Sequence, residues 1–232
     1  MLPQAVERIR TVLSGDEEVL QVGGLASPFG RADWVIDAGP YDERGVPEGR
    51  ERFTRRSWLV RDACAREPWP FEDDRFAFAV CTTLGSLRDP VGVCVELSRV
   101  ARAGYVEVPA IEAELAGGDA RWLCDLDHGE LVFVHKSVGV ATDVRVKVPP
   151  RWHARLEASE RVHGLFWEDR LPARERLVGT EELVEELAER LRRRFEPSAA
   201  EVAVAEARVR IGSLAGDAMA RGLDALRGRG TS

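Results

Sequence analysis

The chain has 232 residues, enough for one α/β domain with additions at its ends. With 44% hydrophobic and 31% charged residues it can bury a core and is not a disordered polypeptide. A formal charge of −7 argues against a nucleic acid held by general electrostatics, which needs a basic face, and no apolar run is long enough to span a bilayer.

The first residues, Met1-Leu2-Pro3-Gln4, lack the basic-then-apolar pattern of a secretion signal, so a cytoplasmic location is expected. Cys64, Cys81, Cys94 and Cys124 have no zinc-knuckle or redox spacing, and reduced, mostly buried thiols suit that location. No motif for a metal is expected.

Residues 3–14 place Val6, Ile9 and Leu13 on one helical face. Residues 18–22 form a short apolar strand running into Gly23-Gly24. A second strand, Trp34-Val35-Ile36-Asp37, ends before Gly39-Pro40. Residues 41–56 are polar and read as a loop, and residues 57–61 as a third strand. Residues 76–81 are a continuous apolar strand, the composition of a strand covered on both faces. Residues 90–102 predict a helix with Pro90 at its start and Gly104 at its C-cap, followed by Tyr105-Val106-Glu107-Val108 as a strand. This alternation predicts a mostly parallel, doubly wound sheet.

The second half changes character. Residues 130–135 and 144–148 have strand-like patterns and are expected as antiparallel additions to the sheet. Thr180 can cap a helix with Leu183, Leu187 and Leu191 on one face, in which Arg190, Arg192, Arg193 and Arg194 read as a solvated side. After Pro197 an alanine- and valine-rich helix is expected, packed on the core or on a second copy in a homodimer. The expected organisation is therefore an α/β domain over residues 1–178 and a C-terminal helical extension over residues 179–232.

Four features occur in order: Gln21-Val22-Gly23-Gly24 after the first strand; Asp37 ending the second; Asp62-Ala63, then Pro70-Phe71-Glu72-Asp73, after the third; and Leu87-Arg88-Asp89-Pro90 through Gly104-Tyr105-Val106-Glu107-Val108-Pro109 around the fourth and fifth. This series resembles the class I S-adenosylmethionine-dependent methyltransferases of the type 11, small-molecule kind, over about residues 18–110. The resemblance implies a Rossmann-like sheet and S-adenosyl-L-methionine as cofactor. It implies cofactor contacts from Gly23 and Gly24, from Asp37 to the ribose, from Asp62 and Ala63 near the adenine, and from Cys81 and Thr82 beneath the methionine part. An acidic residue at the end of a second strand suits ribose hydroxyls, and glycines let a ligand approach the backbone.

The series departs from the family in two places. The glycine loop has Gln21 where an acidic residue is usual and lacks the later glycines, and only about eight residues link the two strands, too few for a crossover helix. After the fourth strand, Thr82-Thr83-Leu84-Gly85-Ser86 replaces a charged stretch. A methyl transfer needs a base only where the acceptor must lose a proton. His128, in the turn-like Asp127-His128-Gly129, is the candidate, with His135, His153 and His163 as others. The expected activity is methyl transfer to an oxygen or nitrogen of a small-molecule acceptor. The alternative is a methyltransferase-like module that binds or assembles without catalysis.

Overall fold

The computed structural model describes residues 1–195 apart from 14, 48, 150, 151 and 153. The helix expected after Pro197 lies outside the described residues. The chain divides into two units, Met1–Glu186 and Leu187–Ser232.

Five parallel strands form the centre: β1 (Val19–Val22), β2 (Trp34–Asp37), β3 (Trp58–Val60), β4 (Phe78–Cys81) and β5 (Ala103–Pro109). With β8 (Val162–Glu168) they make a six-stranded sheet in the order β3-β2-β1-β4-β5-β8, in which only β8 is antiparallel. This is the doubly wound, mostly parallel Rossmann-like sheet that the strand and helix pattern predicts. The pleat sorts its side chains. Leu20, Val22, Ile36, Ala79, Cys81, Val106 and Val108 enter one core with helix α2 (Pro90–Val100), whereas Val19, Val35, Phe78, Val80 and Tyr105 enter another with helix α1 (Pro3–Val12).

Helices are fewer than the alternation predicts. Among the described residues of the strand-to-strand connections from β1 to β5, an α-helix occurs only between β4 and β5. The 23–33 connection is a loop, and residues 61–77 are an irregular segment with turns at 63–64 and 73–74, packed through its aromatic side chains. Trp69 is buried there, and the Phe71 ring meets Trp34 and Phe76 edge-on at centroid distances of 5.5 and 4.9 Å.

Three expectations are corrected. Residues 130–135 are a strand, β7 (Glu130–His135), but it pairs with β6 (Trp122–Asp127) and β9 (Ala173–Glu175) in a separate three-stranded sheet. Residues Val144–Val146 form a 3₁₀ turn rather than a strand, because the Asp143 carboxylate accepts the Arg145 N–H at 2.8 Å and closes the chain locally. Gly104 is not a helix cap. Helix α2 ends at Val100 and is capped by Ala101, in extended conformation, and Gly104 lies inside β5. A Cβ there would stand 2.5 Å from the Ala79 carbonyl oxygen and 2.6 Å from the Trp167 ring, so the glycine makes room for the indole.

Two short helices, α3 (Ile111–Leu115) and α4 (Val138–Thr142), precede and follow the β6–β7 pair in the chain, and helix α5 (Thr180–Phe195) has Thr180 as its first helical residue, one position inside the cap expected of it. No described helix is long and apolar enough to cross a membrane.

Candidate functional site

The parallel strands end in register: Val22 lies beside both Ile36 and Cys81, Asp37 beside Val60, and Cys81 beside Val106. The loops after β1, β2, β3 and β4 therefore emerge along one edge. The chain leaves β1 toward β2 and leaves β4 toward β5, in opposite directions, so the switch point where such sheets bind ligands lies between β1 and β4.

Seven of the residues expected to contact a cofactor stand along this edge. Gly23 turns the chain at φ +73°, a left-handed conformation that glycine takes without steric cost, and its N–H donates to the Ile36 carbonyl at 2.8 Å. Asp37 ends β2. Its carboxylate accepts the N–H groups of Gly24 at 2.8 Å, Leu25 at 2.9 Å and Gly39 at 2.8 Å. Asp62 is exposed, caps the Cys64 N–H at 2.8 Å and pairs with Arg88 at 3.0 Å. Ala63 is half-buried, its carbonyl accepting from the Trp69 indole at 3.1 Å. Cys81 is buried at the end of β4, its Sγ 3.6 Å from the Thr83 hydroxyl, and burial pushes its thiol upward. Thr82 follows it, half-buried.

Three further residues shape the edge although the sequence assigns them no site role. Gln21 is buried, and its side-chain carbonyl accepts the Phe29 N–H at 2.7 Å. Its amide donates to the carbonyls of Gly23 at 3.5 Å and Ser27 at 3.4 Å, so the short loop is knitted from below. A polar residue inside an otherwise apolar strand was the available signal. Thr83 lies over Gly23, where a Cβ would come within 2.0 Å of its Oγ1. Arg88 joins the loops after β3 and β4 through Asp62 and through the Cys64 carbonyl at 2.9 Å. Both lie in stretches that the sequence brings forward, Thr82-Thr83-Leu84-Gly85-Ser86 and Leu87-Arg88-Asp89-Pro90, but without a role for either side chain.

A carboxylate offers about four lone-pair sites. Gly24 and Leu25 of the β1–β2 loop and Gly39 just after β2 occupy three of those on Asp37, leaving about one for a ligand hydroxyl. In this arrangement Asp37 is first a loop cap, and any ribose contact must share it or replace one of its backbone donors.

The histidines fall apart spatially. The β6 strand starts at this edge, since the Arg121 N–H donates to the Gly85 carbonyl at 2.9 Å and the Trp122 indole to the Leu87 carbonyl at 2.8 Å. It then runs away: Leu131, just past the β6–β7 turn, donates to Pro172, and Leu171 donates to Ser98 in the last turn of α2. His128 sits at that turn with its side chain 97% exposed, at the far end from the loops. His135 is exposed on β7, and His153 is outside the described residues. His163 lies opposite Val108, at the C-terminal end of β5, with Nε2 3.8 Å from the Asp125 carboxylate. Among the described residues no group of three or more His, Cys, Asp or Glu is placed to hold a metal ion.

No family model and no curated protein matches the sequence. Solved structures show a distant likeness. A candidate methyltransferase from Bacillus halodurans C-125 is 16% identical with a TM-score of 0.33, over 47% of this chain and 52% of that one, so the match spans about half that protein. The N-terminal domain of EvdMO1 with SAH bound is 15% identical with a TM-score of 0.31, over 82% of this chain and 71% of that one. The same domain in the presence of SAH and D-fucose is 16% identical with a TM-score of 0.30, over 81% and 72%.

Proposed function

We propose that this chain binds S-adenosyl-L-methionine at the C-terminal edge of its parallel sheet and transfers the methyl group to an oxygen or nitrogen of a small metabolite in the cytoplasm. One observation carries the reading: the acidic residue ending β2, Asp37, stands beside the glycine turn ending β1, next to the switch point between β1 and β4. Gly23 and Gly24 present backbone without side chains, and the remaining lone pair of Asp37 suits a ribose hydroxyl. Asp62 and Ala63 would flank the adenine, with Cys81 and Thr82 beneath the methionine part.

The cofactor supplies an already electrophilic methyl group, so the chain's own contribution is alignment of the acceptor. For an acceptor that must lose a proton, His163 is the better-placed base than His128, because it lies at the C-terminal end of β5 and faces a carboxylate.

Titration calorimetry with S-adenosylmethionine and S-adenosylhomocysteine tests the proposal. Binding is expected to both, with a loss of about 100-fold or more in Asp37→Ala, or roughly 2.7 kcal/mol. No heat with either ligand at millimolar concentration removes the reading.

A second reading is favoured by the same loop: Gln21, Asp37 and Thr83 satisfy and cover the turn from within, as in a module that binds or assembles without transferring a methyl group. Labelled S-adenosylmethionine incubated with cell extract separates the two. Label transferred to any extract component by the native chain, and not by Asp37→Ala, supports catalysis.

A further inference from the structure

On the opposite edge of the sheet the loops line an open cavity of about 710 Å³. Asp33 marks the place: it immediately precedes β2, and its carboxylate accepts the N–H of Val19, the first residue of β1, at 3.0 Å. The cavity is therefore separated from the Asp37 edge by the length of the strands.

Its lining is rich in cations, although the whole chain is acidic. Arg10 comes from α1, Arg31 from the loop before β2, and Arg50 and Arg52 from the loop before β3, with Phe29 as the apolar wall. Two carboxylates also line it, Asp33 and Glu51. Both are engaged. Asp33 holds Arg31 at 3.0 Å and Arg52 at 2.9 Å. Glu51 is held by Arg44, at 2.8 Å, and by the Tyr41 hydroxyl, at 2.6 Å, neither of which lines the cavity. With the Arg44–Glu51 pair neutral, Asp33 is the one uncompensated acid within the described lining, against four guanidiniums. Among the described residues, the other acids paired with these arginines are Glu7, on Arg10 at 3.1 Å with both side chains more than half exposed, and Glu17, 3.9 Å from Arg31. The first pair is a solvent-screened one and holds Arg10 only weakly. Arg50 has no acidic partner among the described residues.

The geometry points to a small-molecule anion site. We propose that this cavity takes a phosphate ester or diphosphate group, with Arg10 and Arg50 as the donors not committed to the fold and Arg31 and Arg52 as fixed charges behind them. Planar guanidiniums match phosphate oxygens bidentately, and the volume is that of a metabolite pocket, larger than the anion alone needs. The occupant is not a nucleic acid: the charge is confined to one concavity of a chain with net charge −7, and a polyanion requires an extended basic face.

The test uses the full chain at low ionic strength, with pyrophosphate as the probe and heat of binding and melting temperature as readouts. Saturable binding in the millimolar range or tighter is expected, with a raised melting temperature. The double variant Arg10→Ala/Arg50→Ala, whose two side chains bury no core, is expected to weaken pyrophosphate at least about tenfold. It should leave S-adenosylhomocysteine binding unchanged, so that the site is separable from the proposed cofactor edge. Arg56→Ala, an exposed arginine outside the lining, should change neither. The inference is overturned if pyrophosphate does not bind the native chain at millimolar concentration. It is equally overturned if the double variant binds as well as the native chain, if Arg56→Ala weakens binding as much, or if malonate binds as tightly as pyrophosphate.

Discussion

Asp37 shows how one side chain is shared between fold and ligand. Three backbone N–H groups already bond to it, so Asp37→Ala removes a loop cap and a proposed ribose contact together. Asp37→Asn separates the two roles. One amide oxygen still accepts from part of the loop, so the fold is kept while ribose affinity falls; circular dichroism beside calorimetry would show a folded chain that binds S-adenosylhomocysteine more weakly. Gly23 is constrained from two directions, by its φ of +73° and by the Thr83 side chain. Gly23→Ala is therefore expected to lower stability by about 2–3 kcal/mol, from left-handed strain plus displacement of Thr83, measured as a shift of the urea midpoint with unchanged slope.

At the scale of elements, the last turn of α2 does the work of the missing β3–β4 crossover helix. Arg99 donates to the carbonyls of Phe71 at 2.7 Å and Trp69 at 3.1 Å, and pairs with Asp73 and Glu96. Glu96 in turn accepts the Trp69 N–H at 2.8 Å. The irregular segment is thus pinned to a helix it precedes in the chain. The hydrogen bonds from Arg99, with help from the Trp69 N–H, hold the Glu96 carboxyl below its ordinary range despite partial burial. A depressed carboxyl stabilises the fold above the unfolded value, near pH 4.3, and that contribution disappears as pH falls through the lower folded value. Glu96→Gln should accordingly cost about 1–2 kcal/mol at neutral pH and progressively less in acid, read from denaturant midpoints across a pH series. A difference that stayed constant down to strongly acidic pH would contradict this. In β5, Gly104→Ala brings a methyl against the Ala79 carbonyl and the Trp167 ring, and a loss of about 3 kcal/mol is expected in the same assay.

For the whole molecule, the two cores bracket one sheet, and the free thiols report on them. Cys81, Cys94 and Cys124 are buried, and desolvation pushes the Cys124 thiol up to about 12; Cys64 is half-buried near the surface, its Sγ accepting from the Asp89 N–H at 3.3 Å. A chromogenic disulfide reagent at neutral pH is expected to titrate Cys64 alone in the native chain and all the thiols in denaturant, because the buried sulfurs lack both access and thiolate. Rapid native reaction of more than one thiol would show that the core around α2 opens.

The sequence by itself determined the parallel core. Short apolar runs closed by glycine or an acidic residue specify buried strands, and such strands need cover on both faces whatever else the chain does. The positions of Gly23, Gly24, Asp37, Asp62, Ala63, Cys81 and Thr82 at the strand ends were legible for the same reason. The second half was not. Val144–Val146 alternates like a strand yet closes into a turn through Asp143, whereas Val162–Glu168, with Gly164 inside it and Leu165, Phe166 and Trp167 in a row, shows no alternation and becomes the antiparallel strand. Only the tertiary structure decided that three of the Asp37 lone pairs are taken by backbone N–H groups, that His163 rather than His128 comes to the C-terminal end of β5, and that four arginines from three segments surround one cavity. The physical reason is common to all three. Burial periodicity is written in neighbours along the chain, but a side chain's hydrogen-bond and charge partners are set by groups distant in sequence, which only the assembled sheet brings within reach.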